Sequence, residues 1–218
     1  MALQSWSYRM SKKYLDKTSN TWNNSFVNLP NIITLIRIPF LFIIASLLFI
    51  PAKGALTIAF ILYVLAGITD WLDGHIARKY NQISDLGKLL DALNDKIFTV
   101  GIFLLLIAKQ LIPTWGVFCV LIIVCREFLI TGLRIILAKT GTVMAAENLG
   151  KVKTVLQIVV MGSYLLIEML RVDAANWFPS LGLSILSFIN SILFIIATIS
   201  TTYSGIRYFI KYRKFLEI

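Results

Sequence analysis

Apolar residues along this chain run in long blocks bounded by polar or proline-containing breaks. A helix needs about 20 mostly apolar residues to cross the hydrocarbon of a bilayer, and six blocks approach that length: Asn31 to Ile50, Gly54 to Trp71, Leu86 to Ala108, Pro113 to Ala138, Lys151 to Leu170 and Pro179 to Ile210. Pro30, Pro51, Pro113 and Pro179 stand at block ends, where a missing N–H costs nothing, while Pro39 lies inside the first block and is a candidate kink. The pattern predicts an all-α, integral membrane bundle of six transmembrane helices over residues 29–218, with no internal repeat or low-complexity stretch.

Composition agrees. Of 218 residues, 58% are hydrophobic and 15% charged, with a mean hydropathy of +0.80, whereas soluble domains run nearer one quarter charged. Cys119 and Cys125 lie in one apolar block, which excludes a disulfide scaffold and predicts that both are buried as apolar packing residues.

The net charge of +10 would suggest a nucleic-acid partner in a soluble protein, but its distribution gives it another meaning. Arg9, Lys12, Lys13 and Lys17 precede the first block; Arg78, Lys79 and Lys88 flank the second connection; Lys139, Lys151 and Lys153 flank the fourth; Arg207, Lys211, Arg213 and Lys214 lie at the C-terminal end. The alternate connections hold only Lys53, Lys109 and Arg171. Positively charged connections stay in the cytoplasm, so both termini are expected there and no nucleic-acid partner is expected. Residues 1–28 are too polar to span, lack the apolar core of a signal peptide, and carry Trp6, Tyr8, Tyr14 and Trp22 among basic residues. They read either as an interfacial amphipathic segment or as a disordered extension.

The acidic residues break the pattern. Asp70, Asp73, Asp85, Asp91 and Asp95 crowd across the end of the second block and the start of the third, where carboxylates are costly and usually retained for function. At about 100° per residue, Asp73, Gly74 and Ala77 lie within about 60° of Asp70 on one helix face, and Gly87, Asp91 and Asp95 share a face of the next helix. Four carboxylates converging from two helices repel unless cations lie between them. Oxygen-only ligands favour hard ions, so two divalent metal ions, Mg2+ or Mn2+, are the economical explanation, with a polar cytoplasmic loop as the alternative. Gly74, Ala77 and Gly87 would admit a bulky anionic ligand to the backbone, and Arg78 would pair with its phosphate.

The arrangement Asp70-x2-Asp73-Gly74-x2-Ala77-Arg78-x8-Gly87-x3-Asp91-x3-Asp95 resembles the signature of the CDP-alcohol phosphatidyltransferase family at all its defined positions. The stretches Asn28 to Arg37, Arg126 to Arg134 and Leu149 to Thr154 look like the bacterial branch whose acceptor is glycerol 3-phosphate. The resemblance covers about residues 28–210. It implies the family's six-helix membrane fold, commonly homodimeric, in the bacterial cytoplasmic membrane, with an active site open to the cytoplasm. It implies transfer of a phosphatidyl group from CDP-diacylglycerol to glycerol 3-phosphate. It also implies Asp70, Asp73 and Asp91 as metal ligands, and Asp95 as general base that also touches a metal. Asn31, Thr34, Arg37, Asp73, Gly74, Ala77, Arg78 and Gly87 would bind CDP-diacylglycerol. Ala92 and Asn94 depart from the branch's usual Pro and Ala, but neither is a proposed ligand.

The second substrate brings its own phosphate dianion. Arg126 and Arg134 are costly within a span unless they face a wet cavity, and about 80° separates them on a helix. With Lys151 and Lys153 they form a candidate glycerol-phosphate pocket. The alternatives are snorkelling toward the headgroups, or a structural pairing of Arg126 with Glu127, a residue that has no assigned role. His75, the single histidine, cannot form a zinc site and reads as a surface or polar-contact residue; Asp85 reads as a loop or cap residue. Rival functions are a sister phosphatidyltransferase using inositol phosphate or serine, an intramembrane prenyltransferase, and a non-enzymatic transporter. A transporter would need carboxylates near mid-membrane, whereas these gather at one end.

Overall fold

The computed structural model describes residues 29–79, 85–139, 148–175 and 177–213, with side chains throughout except at 29–34, 70–79, 85–91, 138–139 and 148–149. The described residues form six helices: α1 (Leu29–Phe49), α2 (Ala55–Lys79), α3 (Asp85–Ala108), α4 (Gly116–Lys139), α5 (Asn148–Val172) and α6 (Ser180–Tyr212). Among the described residues, Gly116–Leu137, Gly150–Val172 and Ser180–Tyr212 are long and apolar enough to cross a membrane, and Leu35–Phe49 and Ala55–Thr69 are shorter apolar helices. Large apolar side chains such as Phe42, Leu104, Phe118, Leu129, Leu181 and Ile199 face outward. Water would penalise such a surface, whereas lipid tails solvate it. The chain is a multi-pass membrane protein.

Several helices run past the blocks that predicted them, α2 by eight residues at its C-terminal end. Arg78 and Lys79, expected in a connection, are the last residues of α2; Lys139 ends α4, α5 begins at Asn148, three residues before Lys151, and Lys211 lies in the last turn of α6. Backbone hydrogen bonding does not stop at the hydrocarbon boundary, so polar turns extend these helices beyond their apolar parts. Asp85 is the first residue of α3 rather than a loop residue. Pro39 leaves α1 assigned as one helix from Leu29 to Phe49. Pro113 forms a turn before α4, its carbonyl accepting from the Gly116 N–H at 2.7 Å. Residues 1–28, including the aromatic-basic segment, lie outside the described residues.

Helix α1 packs on α2 and α3, α6 on α5 and α4, and α2 joins the two groups through α5. Buried positions on α4 (Gly116, Val120, Ile123, Arg126, Ile130, Leu133, Leu137) recur every three or four residues and give one packing stripe. That periodicity corrects the expectation for the cysteines: Cys119 packs against the core, but Cys125 falls between stripe positions and is exposed. Phe194 of α6 anchors the centre, its ring 6.2 Å from Phe103, 6.1 Å from Trp115 and 6.0 Å from Tyr164. Tyr63 ties α2 to α5 by donating to the Ile158 carbonyl at 2.8 Å.

At the end of the bundle opposite the acidic signature, Asp173 closes the structure. Its carboxylate accepts from the Gly54 N–H at 3.0 Å and from both the N–H and the hydroxyl of Thr57 at 2.8 Å, capping the first turn of α2 from a loop 119 residues away. Gly54 reaches that position with φ +83°, a conformation L side chains rarely adopt. Partial burial acts to raise the Asp173 pKa, but the hydrogen bonds from Thr57 and Gly54 outweigh it and hold it below the usual carboxylate range. The clasp is therefore complete above the unfolded pKa of about 4 and is lost as pH falls through the lower folded value. At neutral pH, Asp173→Ala is expected to destabilise the detergent-solubilised protein by about 1–2 kcal/mol. Thermal melts should show the wild type and variant converging below pH 4; a gap that persists in acid would mean the carboxylate charge is not what holds the loop.

Candidate active site

The charges that lie within apolar sequence converge in the fold. Asp95 and Lys96 stand about ten residues into α3, or about 15 Å along it. Arg126 and Glu127 occupy the middle of α4, with Arg134 two turns nearer its end, and Lys151 and Lys153 stand in the first turns of α5. All seven line one cavity of about 550 Å³, floored by Tyr208 of α6. Five cations against two carboxylates leave its lining with an excess of positive charge, and its walls come from four helices, so no single segment of sequence displays it.

Within it, Arg126 is held by Ser204, Glu127 and Tyr208. Its Nη2 donates to Ser204 Oγ at 3.0 Å and its Nη1 to Glu127 Oε1 at 3.3 Å, while its guanidinium lies 6.0 Å from the Tyr208 ring centre. Gly205 lets the stem pass: a Cβ there would stand 2.7 Å from Arg126 Cγ. Arg126 Nε is buried with no hydrogen-bond partner among the described residues. Lys153 Nζ donates to the same Glu127 oxygen. Beneath, a smaller pocket of about 30 Å³ extends past Thr99 to Gln157, which donates to Thr201 at 3.0 Å. The Thr131 and Thr154 hydroxyls at the cavity wall donate to the carbonyls of Glu127 and Gly150 on their own helices.

The structure thus gathers Asp95, Arg126, Arg134, Lys151 and Lys153 around one space. The pairing of Arg126 with Glu127 exists, yet Arg126 still lines the cavity, so the two readings of that residue are compatible. Arg37 is buried on α1 and is not among the residues lining this cavity. Asp70, Asp73, Gly74, His75, Ala77 and Arg78 lie on the last three turns of α2, Gly87 and Asp91 on the first two of α3, and Asn31 and Thr34 at the start of α1. Their side chains lie outside the described residues.

Of the four expected metal ligands, only Asp95 therefore has a described side chain; it is exposed and lines the cavity. Among the described residues no group of three His, Cys, Asp or Glu could hold a metal. The expected donors are four carboxylates with no nitrogen or sulfur, two on α2 and two on α3. That set suits hard divalent ions.

Sequence reasoning missed several participants. Lys96 and Glu127 sit beside residues that were singled out, and their signal was the same: a charge inside an apolar block. Ala92, set aside as a harmless departure, lines the cavity. Ser204, Gly205 and Tyr208 had no local signal, because their work is to hold a side chain on another helix.

Residues 27–204 match the profile of the family described as CDP-alcohol phosphatidyltransferase. A Bacillus subtilis CDP-diacylglycerol--glycerol-3-phosphate 3-phosphatidyltransferase is 40% identical over 151 residues, 64% of this chain and 77% of that protein. A Rickettsia felis protein of the same name is 33% identical over 86% of this chain and 97% of its own length. One from Salmonella choleraesuis is 28% identical over 83% and 92%.

Proposed function

The chain belongs to the CDP-alcohol phosphatidyltransferase family, and we infer that it transfers the phosphatidyl group of CDP-diacylglycerol to glycerol 3-phosphate, giving phosphatidylglycerol phosphate and CMP. The carrying observation is the agreement of relatives over most of the chain with a cavity whose five cations surround space for a second phosphate next to Asp95.

In this reaction the primary hydroxyl oxygen of glycerol 3-phosphate forms a bond to the lipid-linked phosphorus. The bond from that phosphorus to the bridging pyrophosphate oxygen breaks, and CMP leaves with the electron pair. Asp95 accepts the hydroxyl proton. A carboxylate is a weak base in water, so positioning supplies much of its effect. Arg126, Arg134, Lys151 and Lys153 hold the acceptor phosphate, the arginines through planar, fork-shaped donors. Asn31, Thr34, Arg37, Asp73, Gly74, Ala77, Arg78 and Gly87 receive the cytidine diphosphate end. Asp70, Asp73, Asp91 and Asp95 would hold two divalent ions, Mg2+ or Mn2+, whose chemistry is to neutralise the pyrophosphate and stabilise charge on the phosphorus oxygens. Desolvation within the bundle strengthens each of these interactions.

All six helices cross the membrane in this reading, with both termini and the cavity mouth in the cytoplasm, and the protein works as a homodimer in the bacterial cytoplasmic membrane. Support for the orientation comes from the basic helix ends gathered at the cavity end, opposite Lys53, Lys109 and Arg171.

Purified protein in detergent, given CDP-diacylglycerol and Mg2+ or Mn2+, is expected to release CMP when glycerol 3-phosphate is added, and not with inositol phosphate or serine. Equal release with all acceptors would overturn the acceptor assignment. No release with any would overturn the enzymatic reading.

A further inference from the structure

Glu127 has no part in the reaction just described, yet it lies at the centre of the cation cluster. One oxygen of its carboxylate accepts from both Arg126 and Lys153. Its side chain keeps 21% of its exposure, against 9% for Arg126 and 7% for Lys153. It faces Asp95 and Lys96 of α3 across the cavity, and it borders the smaller pocket as well.

A carboxylate in an anion site is electrostatically perverse. It repels the incoming phosphate and already occupies the donors that phosphate needs. Its benefit is confined to the empty site. Arg126 and Lys153 come from different helices, are nearly withdrawn from solvent, and would repel each other with nothing between them; removing a counter-charge from such a group is strongly destabilising. Glu127 supplies that counter-charge. Once a phosphate dianion enters, it compensates the same two cations by itself, and the carboxylate becomes a competitor.

We propose that Glu127 is a resident counter-anion: it holds Arg126 and Lys153 in place while the acceptor site is empty, and it competes with the acceptor phosphate for them. This rests on reading the cavity as the acceptor-phosphate site. The consequence is an affinity held deliberately low in return for a stable, correctly aimed empty pocket. The same competition favours release of the product, whose headgroup carries the same phosphate.

The test uses the full chain in detergent micelles with divalent metal and no CDP-diacylglycerol, titrated calorimetrically with glycerol 3-phosphate, with thermal melts alongside. Glu127→Gln keeps the shape and removes the charge. It is expected to lower the melting temperature of the unliganded protein while tightening glycerol 3-phosphate binding by roughly five- to tenfold. Glu127→Asp draws the carboxylate back by one methylene and should fall between wild type and Glu127→Gln in affinity, which keeps the test open if the glutamine variant does not fold. A residue that only positioned Arg126 and Lys153 would lose stability and affinity together, so weaker or unchanged binding in both variants overturns the proposal. Absence of saturable binding to the wild type, or saturable binding that Arg134→Ala leaves unaltered, would instead overturn the reading of the cavity on which it rests.

Discussion

Replacing Asp95 by asparagine is expected to reduce kcat by about a thousandfold or more while the bundle melts at the wild-type temperature. A positioned general base contributes about 10²–10⁴ in rate, and the proposed role of the same carboxylate as a metal ligand would add to that. Asparagine matches aspartate in size but cannot take a proton at neutral pH, so the variant isolates the carboxylate. Asp95 is exposed at the cavity wall rather than packed in the core, which is why fold and turnover should separate. CMP release under saturating substrates, with a melting curve of the same preparation, makes the measurement. A variant within tenfold of wild-type turnover would remove Asp95 from the chemistry.

Arg134→Ala carries the second large expectation. Its effect should fall on one substrate: the KM for glycerol 3-phosphate rises about 10- to 100-fold, the range of one charge-assisted hydrogen bond of about 1.5–3 kcal/mol, while the KM for CDP-diacylglycerol stays within twofold. Arg134 lines the cavity yet is exposed, and no core packing depends on it. Arg126 is a poorer probe, because removing it also takes one of the two cations from Glu127 and vacates the space between Ser204 and Tyr208. Arg134→Lys should recover the loss only partly, since an ammonium cannot match the planar fork. A KM increase shared equally by both substrates would place Arg134 outside the acceptor pocket.

The two residues were legible in the sequence for different reasons. Asp95 belongs to a run of eight residues at set spacings, where local helix geometry alone puts the carboxylates on shared faces. Arg134 was visible because an arginine within an apolar block must find water or a partner. Glu127 meets the same condition, but the sequence assigns it no role, since only the arrival of Lys153 from α5 shows what its charge answers to. Ala92 was discounted on its identity; its place in the cavity wall is a matter of where α3 faces.

By itself, then, the sequence determined the helices, the membrane as their solvent, the acidic signature and the family, because each rests on residues close together in the chain or on composition. Tertiary structure decided what depends on residues far apart. Ser204, Gly205 and Tyr208 of α6 shape a seat for an α4 arginine, and Asp173 caps a helix from a loop 119 residues away. It also decided the cavity, for helices supply charges every turn but only their packing settles which ones face one another. The sparse charges were readable as exceptional because burying an ionised group is costly anywhere in a bilayer; which charge compensates which was a property of the bundle.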